Sequence, residues 1–246
     1  MKKAIVMGAT SGIGCEVAKL LASKGYQVAI AGRREARLNA LQAAVPGIVT
    51  SKVIDICSDE APQLLLQLAH EMGGIDLYFH SSGIGFQNLS LNEEKEMSTV
   101  ETNALGFTRM IGTAFRYFTD KGSGHIAAIS SIAGTRGLGA APAYSATKAL
   151  QNHYLEALAQ LAAIRHLNIT ITDIRPGFVA TDLLNDGAHY PMLMSKARVA
   201  EHAVEAVIKK KSVATIDWRY RILVALWRLV PHRIWRKMRI ATSNNK

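Results

Sequence analysis

Cysteine is scarce in this sequence, with only Cys15 and Cys57 among 246 residues. Neither lies in a CxxC pair or at a spacing typical of metal ligands, so we expect no disulfide framework and no metal site. The first apolar run starts within three residues of Met1, which leaves no room for a signal peptide. We therefore expect a protein that begins in the cytoplasm.

Domain boundaries are lacking too. No linker rich in proline, serine or glycine and no internal repeat divides the chain, and its length suits one well-buried core. Apolar runs alternate with helical patterns and predict strands near 3–8, 26–31, 48–54, 75–80, 124–130, 168–174 and 213–216. Such runs are typical of strands buried on both faces. We therefore predict a single α/β domain with a parallel, doubly wound sheet of about seven strands.

A glycine-rich turn, GATSGIG, directly follows the first strand. Glycine allows a tight turn and a close approach of the backbone to a pyrophosphate, while the following helix presents unpaired N–H groups to the anion. The G-x3-G-x-G spacing differs from the more widespread G-x-G-x-x-G fingerprint, and a glycine motif alone is weak evidence. The candidate cofactor contacts in this turn are Gly8, Ser11, Gly12, Ile13 and Gly14.

A second pattern lies in AYSATK, where Tyr144 and Lys148 stand four residues apart and share one face of a helix. An ammonium at 148 favours phenolate at 144, which would bring a pKa of ~10 towards the working pH of an acid/base catalyst. The pair alone also occurs by chance as an exposed packing pair. The order of the glycine turn, Ser131, Tyr144 and Lys148 along the chain is more specific than the pair alone. It indicates nicotinamide-dependent carbonyl chemistry.

In these motifs the chain resembles the short-chain dehydrogenase/reductase family, from about Lys2 to about Ala214. The resemblance also includes Asp55 in VIDIC, Asn103 in ETNALG and the segment RPGFVAT, residues 175–181. It implies a Rossmann-type fold and a catalytic set made of Asn103, Ser131, Tyr144 and Lys148.

The resemblance implies a role for each of these residues. Tyr144 would donate the proton in reduction, and Lys148 would lower the pKa of Tyr144 while holding the nicotinamide ribose. Ser131 would polarise the substrate carbonyl, and Asn103 would hold a water that links Lys148 to solvent. The other cofactor contacts implied, besides Asn103, Tyr144 and Lys148 themselves, are Asp55, Ile56, Gly83, Pro176, Gly177, Val179 and Thr181.

One departure from the family pattern is HSSG at positions 80–83, where Asn-Asn-Ala-Gly is usual. His80 is a candidate acid. A histidine at a strand end is more often a satisfied structural group, and this is the interpretation we favour.

The end of the second strand indicates which cofactor is preferred. Gly32 and Arg33 stand where an acidic residue would hold a ribose 2′-hydroxyl, and Arg34 follows. A guanidinium suits the 2′-phosphate of NADP, because it forms charge-assisted hydrogen bonds and stacks on adenine. In the alternative interpretation, the two arginines are solvated side chains at the start of a helix. We predict NADP(H), with NAD less favoured.

The whole net charge of +10 lies after position 208. Residues 1–208 contain 18 Lys and Arg against 18 Asp and Glu, whereas the remainder contains 11 against one, Asp217. All three tryptophans lie in the same stretch. We therefore divide the chain into a catalytic domain, residues 1–214, and a basic amphipathic extension, residues 215–246.

The sequence of this extension allows several interpretations, which it does not support equally. Nucleic-acid binding ranks lowest, because no binding module is recognisable. A membrane span is not expected, since the longest apolar run is ILVALW, against roughly 20 residues needed. A pair of helices broken near Pro231 fits peripheral contact with an anionic membrane through residues 218–240. Alternatively, the apolar stripe packs on the enzyme body or on a second subunit.

We predict an NADP-dependent oxidoreductase that reversibly reduces a hydrophobic ketone or aldehyde, with Tyr144 as general acid/base. The substrate loop, DLLNDGAHYPMLMSKARV, suggests such a substrate through its apolar residues, which include Leu183, Tyr190, Met192 and Met194. The alternative is a non-catalytic NADP(H)-binding sensor or membrane-surface scaffold. We expect a homo-oligomer, located in the cytoplasm or peripherally at the inner face of the membrane, that binds no nucleic acid.

Overall fold

The computed structural model describes residues 1–181, 184 and 190–240. The strands of this part of the chain are β1 Lys3–Met7, β2 Gln27–Gly32, β3 Ile48–Val53, β4 Leu77–His80, β5 Ser123–Ile129, β6 Asn168–Pro176, β7 Val179–Ala180, β8 Met194–Ser195 and β9 Val213–Ile216. Its α-helices are α1 Gly12–Ser23, α2 Glu35–Ala44, α3 Ala61–Glu71, α4 Glu93–Val100, α5 Phe107–Lys121, α6 Pro142–Ile164, α7 Lys196–Ile208, α8 Trp218–Leu229 and α9 His232–Trp235. A π-helical segment, Glu101–Gly106, joins α4 to α5, and a 3-10 turn, Ile132–Thr135, follows β5.

Seven strands form one sheet in the order β3-β2-β1-β4-β5-β6-β9, and every neighbouring pair is parallel. The prediction of a doubly wound α/β sheet is confirmed. The direction of winding reverses between β1 and β4, so the loops that leave these strands diverge at the carboxyl edge. Ligands of such sheets bind in the crevice that this divergence opens.

Alternating side chains of the strands supply two cores, one on each face of the sheet. In β1, Ala4 and Val6 pack towards α1, α2, α7 and α8, while Ile5 and Met7 pack towards α3, α5 and α6. Because both faces are covered, almost every residue of β1 and β2 is apolar. The rigid sheet fixes the positions from which the site loops leave.

The predicted strands agree with the structure apart from short shifts at their ends. The largest difference at the start of a strand is in β4, which begins at Leu77 rather than at residue 75. The N–H group of Ile75 is bonded outside the sheet, since Tyr117 Oη accepts from it at 3.1 Å. The backbone pairing with β1 starts at Asp76, whose N–H donates to Lys3 O at 2.8 Å. The two-stranded sheet of β7 and β8 was not predicted, because two residues per strand leave no periodic pattern.

The basic extension forms two helices separated at Pro231, as the sequence predicts. The boundary predicted after residue 214 falls inside β9, a strand of the main sheet. The helical part starts at Asp217, whose carboxylate caps α8 by accepting from Arg219 N at 2.9 Å. Residues 241–246 of the predicted extension lie outside the described residues.

One face of α8 and α9 packs on the enzyme body. Tyr220, Val224 and Trp235 are buried, and Trp227 is partly buried against the core on the same face of the sheet. The interpretation in which apolar residues of the extension pack on the body therefore holds for this face. Among the described helices, none is long and apolar enough to cross a membrane.

Two buried histidines should make the fold sensitive to mild acid. Burial lowers the pKa of His80 to about 3 and that of His125 to about 4, so both stay neutral in the folded protein. In the unfolded chain a histidine takes up its proton near pH ~6.5. Below that pH the unfolded state binds more protons, and the free energy of unfolding should fall as pH falls, by at most about 1.4 kcal/mol per pH unit for each histidine.

The variant His125→Gln tests this, since Gln keeps a polar group opposite Thr172 Oγ1, which lies 2.8 Å from His125 Nε2. Urea denaturation between pH 7 and pH 5 should give a shallower pH dependence for the variant than for the wild type. Identical slopes would show that His125 does not titrate on unfolding.

Candidate active site

The candidate site residues meet at the carboxyl edge of the sheet. The glycine turn follows β1, residues 81–85 follow β4, Ser131 follows β5, and the segment 177–181 follows β6. These are neighbouring strands around the point where the winding reverses. The fold therefore brings together motifs that are up to about 170 residues apart in the sequence.

The glycine turn is packed so tightly that side chains are excluded. Gly8 has a positive φ of 87°, and a Cβ there would lie 2.6 Å from Ser82 N. A Cβ on Gly14 would lie 2.4 Å from Gly8 O. No side chain caps the N-terminus of α1. This cradle suits the pyrophosphate of a dinucleotide, because helix N–H groups face an anion without intervening side chains.

The two arginines after β2 have different surroundings. Arg34 donates to Thr10 Oγ1 at 2.7 Å and to Ser11 Oγ at 2.6 Å, so it braces the glycine turn. Arg33 is exposed, and no hydrogen bond or ion pair is found for it within the described part of the chain. The carboxyl end of β2 therefore carries two guanidinium groups beside the turn and no carboxylate.

Lys148 is the central buried charge of the site. It is 4% exposed, and its ammonium donates to Ile129 O at 3.2 Å and to Gln151 Oε1 at 2.8 Å. Burial lowers the pKa of Lys148 to about 8, against an opposing effect from the carboxylate of Asp173. Near neutral pH the group is mostly cationic, but it gives up its proton far more easily than an exposed lysine.

Asn103 lies in the π-helical segment and is fully buried. Its side chain accepts from Ile84 N at 2.9 Å and donates to Ile84 O at 2.6 Å, which fixes the loop after β4. Its backbone carbonyl accepts from Gln151 Nε2 at 2.8 Å. The Gln151 side chain thus connects Asn103 O to Lys148, where the resemblance implies a water molecule.

The sequence interpretation missed Gln151. It stands three residues after Lys148 on α6, so the two side chains share a helix face. That spacing was the available signal, because a buried amide beside a buried ammonium is a natural hydrogen-bond partner.

Tyr144 and Ser131 face the same crevice. The ring of Tyr144 packs so closely on the loop after β4 that a Cβ on Gly85 would lie 2.4 Å from it. Burial raises the pKa of the Tyr144 phenol, and hydrogen bonding with Ser131 opposes the rise. Ser131 Oγ also accepts from Ala133 N at 3.1 Å, which starts the 3-10 turn and fixes the hydroxyl.

Lys148 lies beside the ring of Tyr144, one turn further along the same helix. The Lys148 ammonium lies 5.7 Å from the centre of the Tyr144 ring and is turned towards Gln151. The resemblance gives Lys148 the role of lowering the Tyr144 pKa, and that role stays a prediction.

Two of the remaining candidate cofactor contacts, Gly83 and Thr181, lie beside site residues already described. A Cβ on Gly83 would lie 3.2 Å from Asn103 Oδ1 and 3.7 Å from Lys148 Nζ. The Thr181 methyl group lies 3.5 Å from the position of a Cβ on Gly12. Asp55 and Ile56 follow β3. Asp55 Oδ1 accepts from Cys57 N at 3.1 Å, and Ile56 is buried against Gly106.

The segment formed by Pro176, Gly177, Val179 and Thr181 is held from behind by Tyr220 of α8. The Tyr220 hydroxyl accepts from Phe178 N at 3.1 Å and donates to the backbone at Pro191 O at 3.1 Å. A Cβ on Gly177 would lie only 2.1 Å from the Tyr220 ring. The contact with Phe178 spans 42 residues and has no local sequence signal.

His80 lies beneath the site rather than in it. It is fully buried, and its Nδ1 is 2.9 Å from the Tyr78 hydroxyl. Its Nε2 has no hydrogen-bond partner among the described residues. A pKa of about 3 leaves the imidazole neutral at ordinary pH, so it cannot supply a proton there.

The substrate loop is described only in part. The rings of Phe178 and Tyr190 lie 4.8 Å apart, and Tyr190 and Met194 are buried. The Met194 N–H donates to Phe178 O at 3.0 Å, so these apolar residues pack together next to the segment that follows β6. Leu183, another apolar candidate, lies outside the described residues.

Comparison with known proteins agrees with this arrangement. Residues 2–189 match the family model described as short chain dehydrogenase. An uncharacterized oxidoreductase of Mycobacterium tuberculosis is 30% identical over 247 residues, with 96% of each chain covered. A 3-oxoacyl-[acyl-carrier-protein] reductase of Vibrio cholerae is 29% identical over 191 residues, covering 75% of this chain and 78% of that protein.

Among solved structures, a point variant of the actinorhodin polyketide ketoreductase, determined with NADPH, superimposes with a TM-score of 0.74. The match covers 87% of this chain and 95% of the other at 24% identity, which shows the shared fold. Since the family model covers most of the sequence and the fold agrees, the chain belongs to the short-chain dehydrogenase/reductase family and is an NAD(P)-dependent oxidoreductase.

Proposed function

We propose that this enzyme reduces a hydrophobic ketone or aldehyde to an alcohol, reversibly, with NADPH as the preferred cofactor. The observation that carries the proposal is the convergence of Ser131, Tyr144 and Lys148 on one crevice beside a glycine cradle. The Vibrio relative is a reductase by name, and the ketoreductase of similar fold was solved with NADPH. Both support a carbonyl substrate.

When bound, the nicotinamide cofactor supplies the hydride. Tyr144 gives its phenolic proton to the carbonyl oxygen as the carbonyl carbon is reduced, and the Ser131 hydroxyl donates a hydrogen bond to the same oxygen. Developing negative charge on that oxygen is thereby neutralised. In the reverse direction the Tyr144 phenolate takes the proton from the alcohol.

Lys148 stabilises the phenolate that remains on Tyr144 after the proton has left. Its pKa of about 8 keeps it mostly cationic at neutral pH. The Gln151 amide fixes the ammonium and ties it to Asn103 O. We assign Gln151 as a positioning residue that acts through Lys148.

The variant Tyr144→Phe should lose turnover by at least about a hundredfold, because positioned proton transfer contributes about 10²–10⁴-fold. NADPH binding, followed by fluorescence, should change little. Tyr154→Phe, on the same helix, is the matched control and should keep normal turnover. Retained turnover in Tyr144→Phe would remove the assigned role, and the absence of turnover in the wild type with any carbonyl would favour an NADP(H)-binding sensor.

The variant Arg33→Ala should weaken NADPH binding by about 1.5–3 kcal/mol, the range for hydrogen bonds to charged groups, and weaken NADH binding much less. Titration of both cofactors by fluorescence measures the difference, and Lys24→Ala controls for loss of a surface charge. Equal losses for NADPH and NADH would contradict recognition of the 2′-phosphate.

Two substitutions of Gln151 should shift the pH profile in opposite directions. Gln151→Leu removes an acceptor of the charged ammonium and should lower the Lys148 pKa, whereas Gln151→Glu places a carboxylate beside it and should raise that pKa. The measurement is kcat/KM against pH, with Gln160→Leu and Gln160→Glu at an exposed site of α6 as controls. A merely structural role would lower activity or melting temperature and leave the pH of the inflection unchanged.

A further inference from the structure

The outward face of α8 is apolar although it faces solvent. Trp218, Ile222, Leu226 and Leu229 are each between 50% and 78% exposed. Their spacing of four, four and three residues places them on one side of the helix, opposite the buried Tyr220 and Val224. Soluble proteins rarely leave such a continuous row of large apolar side chains uncovered.

This row is held rigidly by the opposite face of the same helix. Arg136 donates to Arg228 O at 2.8 Å and to Val230 O at 2.7 Å, and its guanidinium lies 5.4 Å from the centre of the Trp235 ring. Trp227 Nε1 donates to Thr135 Oγ1 at 3.0 Å. The apolar row is therefore part of a fixed surface and not a frayed helix.

Basic residues border this row and continue beyond it. Arg221 and Arg228 are exposed and seven residues apart, which places them along one edge of the row. After α8, exposed Ile234 and Met238 alternate with further exposed basic residues, namely Arg233, Arg236, Lys237 and Arg239. Asp217 is the sole acidic residue after position 208, and its carboxylate is already paired with Arg219 at 2.9 Å.

We infer that the outward row of α8, together with the basic segment after it, lies on an anionic lipid membrane. Tryptophan and leucine side chains enter the boundary between headgroups and acyl chains, and arginines contact the phosphates around them. Charge decides between the possible occupants. A second copy paired face to face would bring the same arginines against one another, whereas anionic lipid neutralises them.

The test uses the full chain and two kinds of vesicle, an equimolar mixture of phosphatidylcholine and phosphatidylglycerol, and phosphatidylcholine alone. Co-sedimentation should show association with the anionic vesicles. The double variant Leu226→Glu/Leu229→Glu should bind them at least about tenfold more weakly. The pair Arg221→Ser/Arg228→Ser should lose about twenty-fivefold, since each basic residue near such a surface contributes about fivefold.

A matched control exists at the end of α6. Leu161 and Ile164 are also three residues apart and are 38% and 73% exposed, so Leu161→Glu/Ile164→Glu makes the same chemical change elsewhere. This control should bind vesicles like the wild type. Addition of anionic vesicles should also shift tryptophan emission to the blue, and Trp218→Phe should remove most of the shift.

Several results would overturn the inference. They are absence of association with anionic vesicles, equal binding to phosphatidylcholine alone, or equal losses in the α8 and α6 double variants. A change from dimer to monomer in Leu226→Glu/Leu229→Glu, with no vesicle binding by the wild type, would assign the face to a second copy instead.

Discussion

Burial of the Lys148 ammonium is the constraint around which the site is built. A charged group taken out of water needs hydrogen-bond acceptors in fixed positions, and the fold provides the carbonyl of Ile129 at the end of β5 and the amide of Gln151 on α6. Gln151 must in turn satisfy its own N–H group, which it does on the carbonyl of Asn103. One buried charge therefore ties together a strand end, a long helix and the π-helical segment.

The π-helical segment carries Asn103, the residue that makes the last of these contacts. The carbonyl of Asn103 accepts from a side chain, and the Asn103 amide is left to hold both polar groups of Ile84. The loop that carries Gly83 and Gly85 is consequently fixed beside Lys148 and Tyr144.

The features that the sequence predicts are those formed by residues close together in the chain. The strands follow from continuous apolar runs, and the glycine turn and the Tyr144–Lys148 pair follow from spacing within one element. The partners that depend on packing could not be read in this way. Tyr220 reaches Phe178 across 42 residues, and the Gln151 amide reaches Asn103 O across 48.

The contact between Tyr220 and Gly177 has a consequence for how this enzyme can be engineered. The Tyr220 ring occupies the volume that any other residue at 177 would need, and its hydroxyl holds the backbone at Phe178. Deleting the chain after residue 217 would remove this ring and leave a cavity behind the segment that follows β6. The C-terminal helices therefore cannot be deleted without loss of this packing. A more soluble form of the protein should instead be made by point substitutions on the outer side of α8.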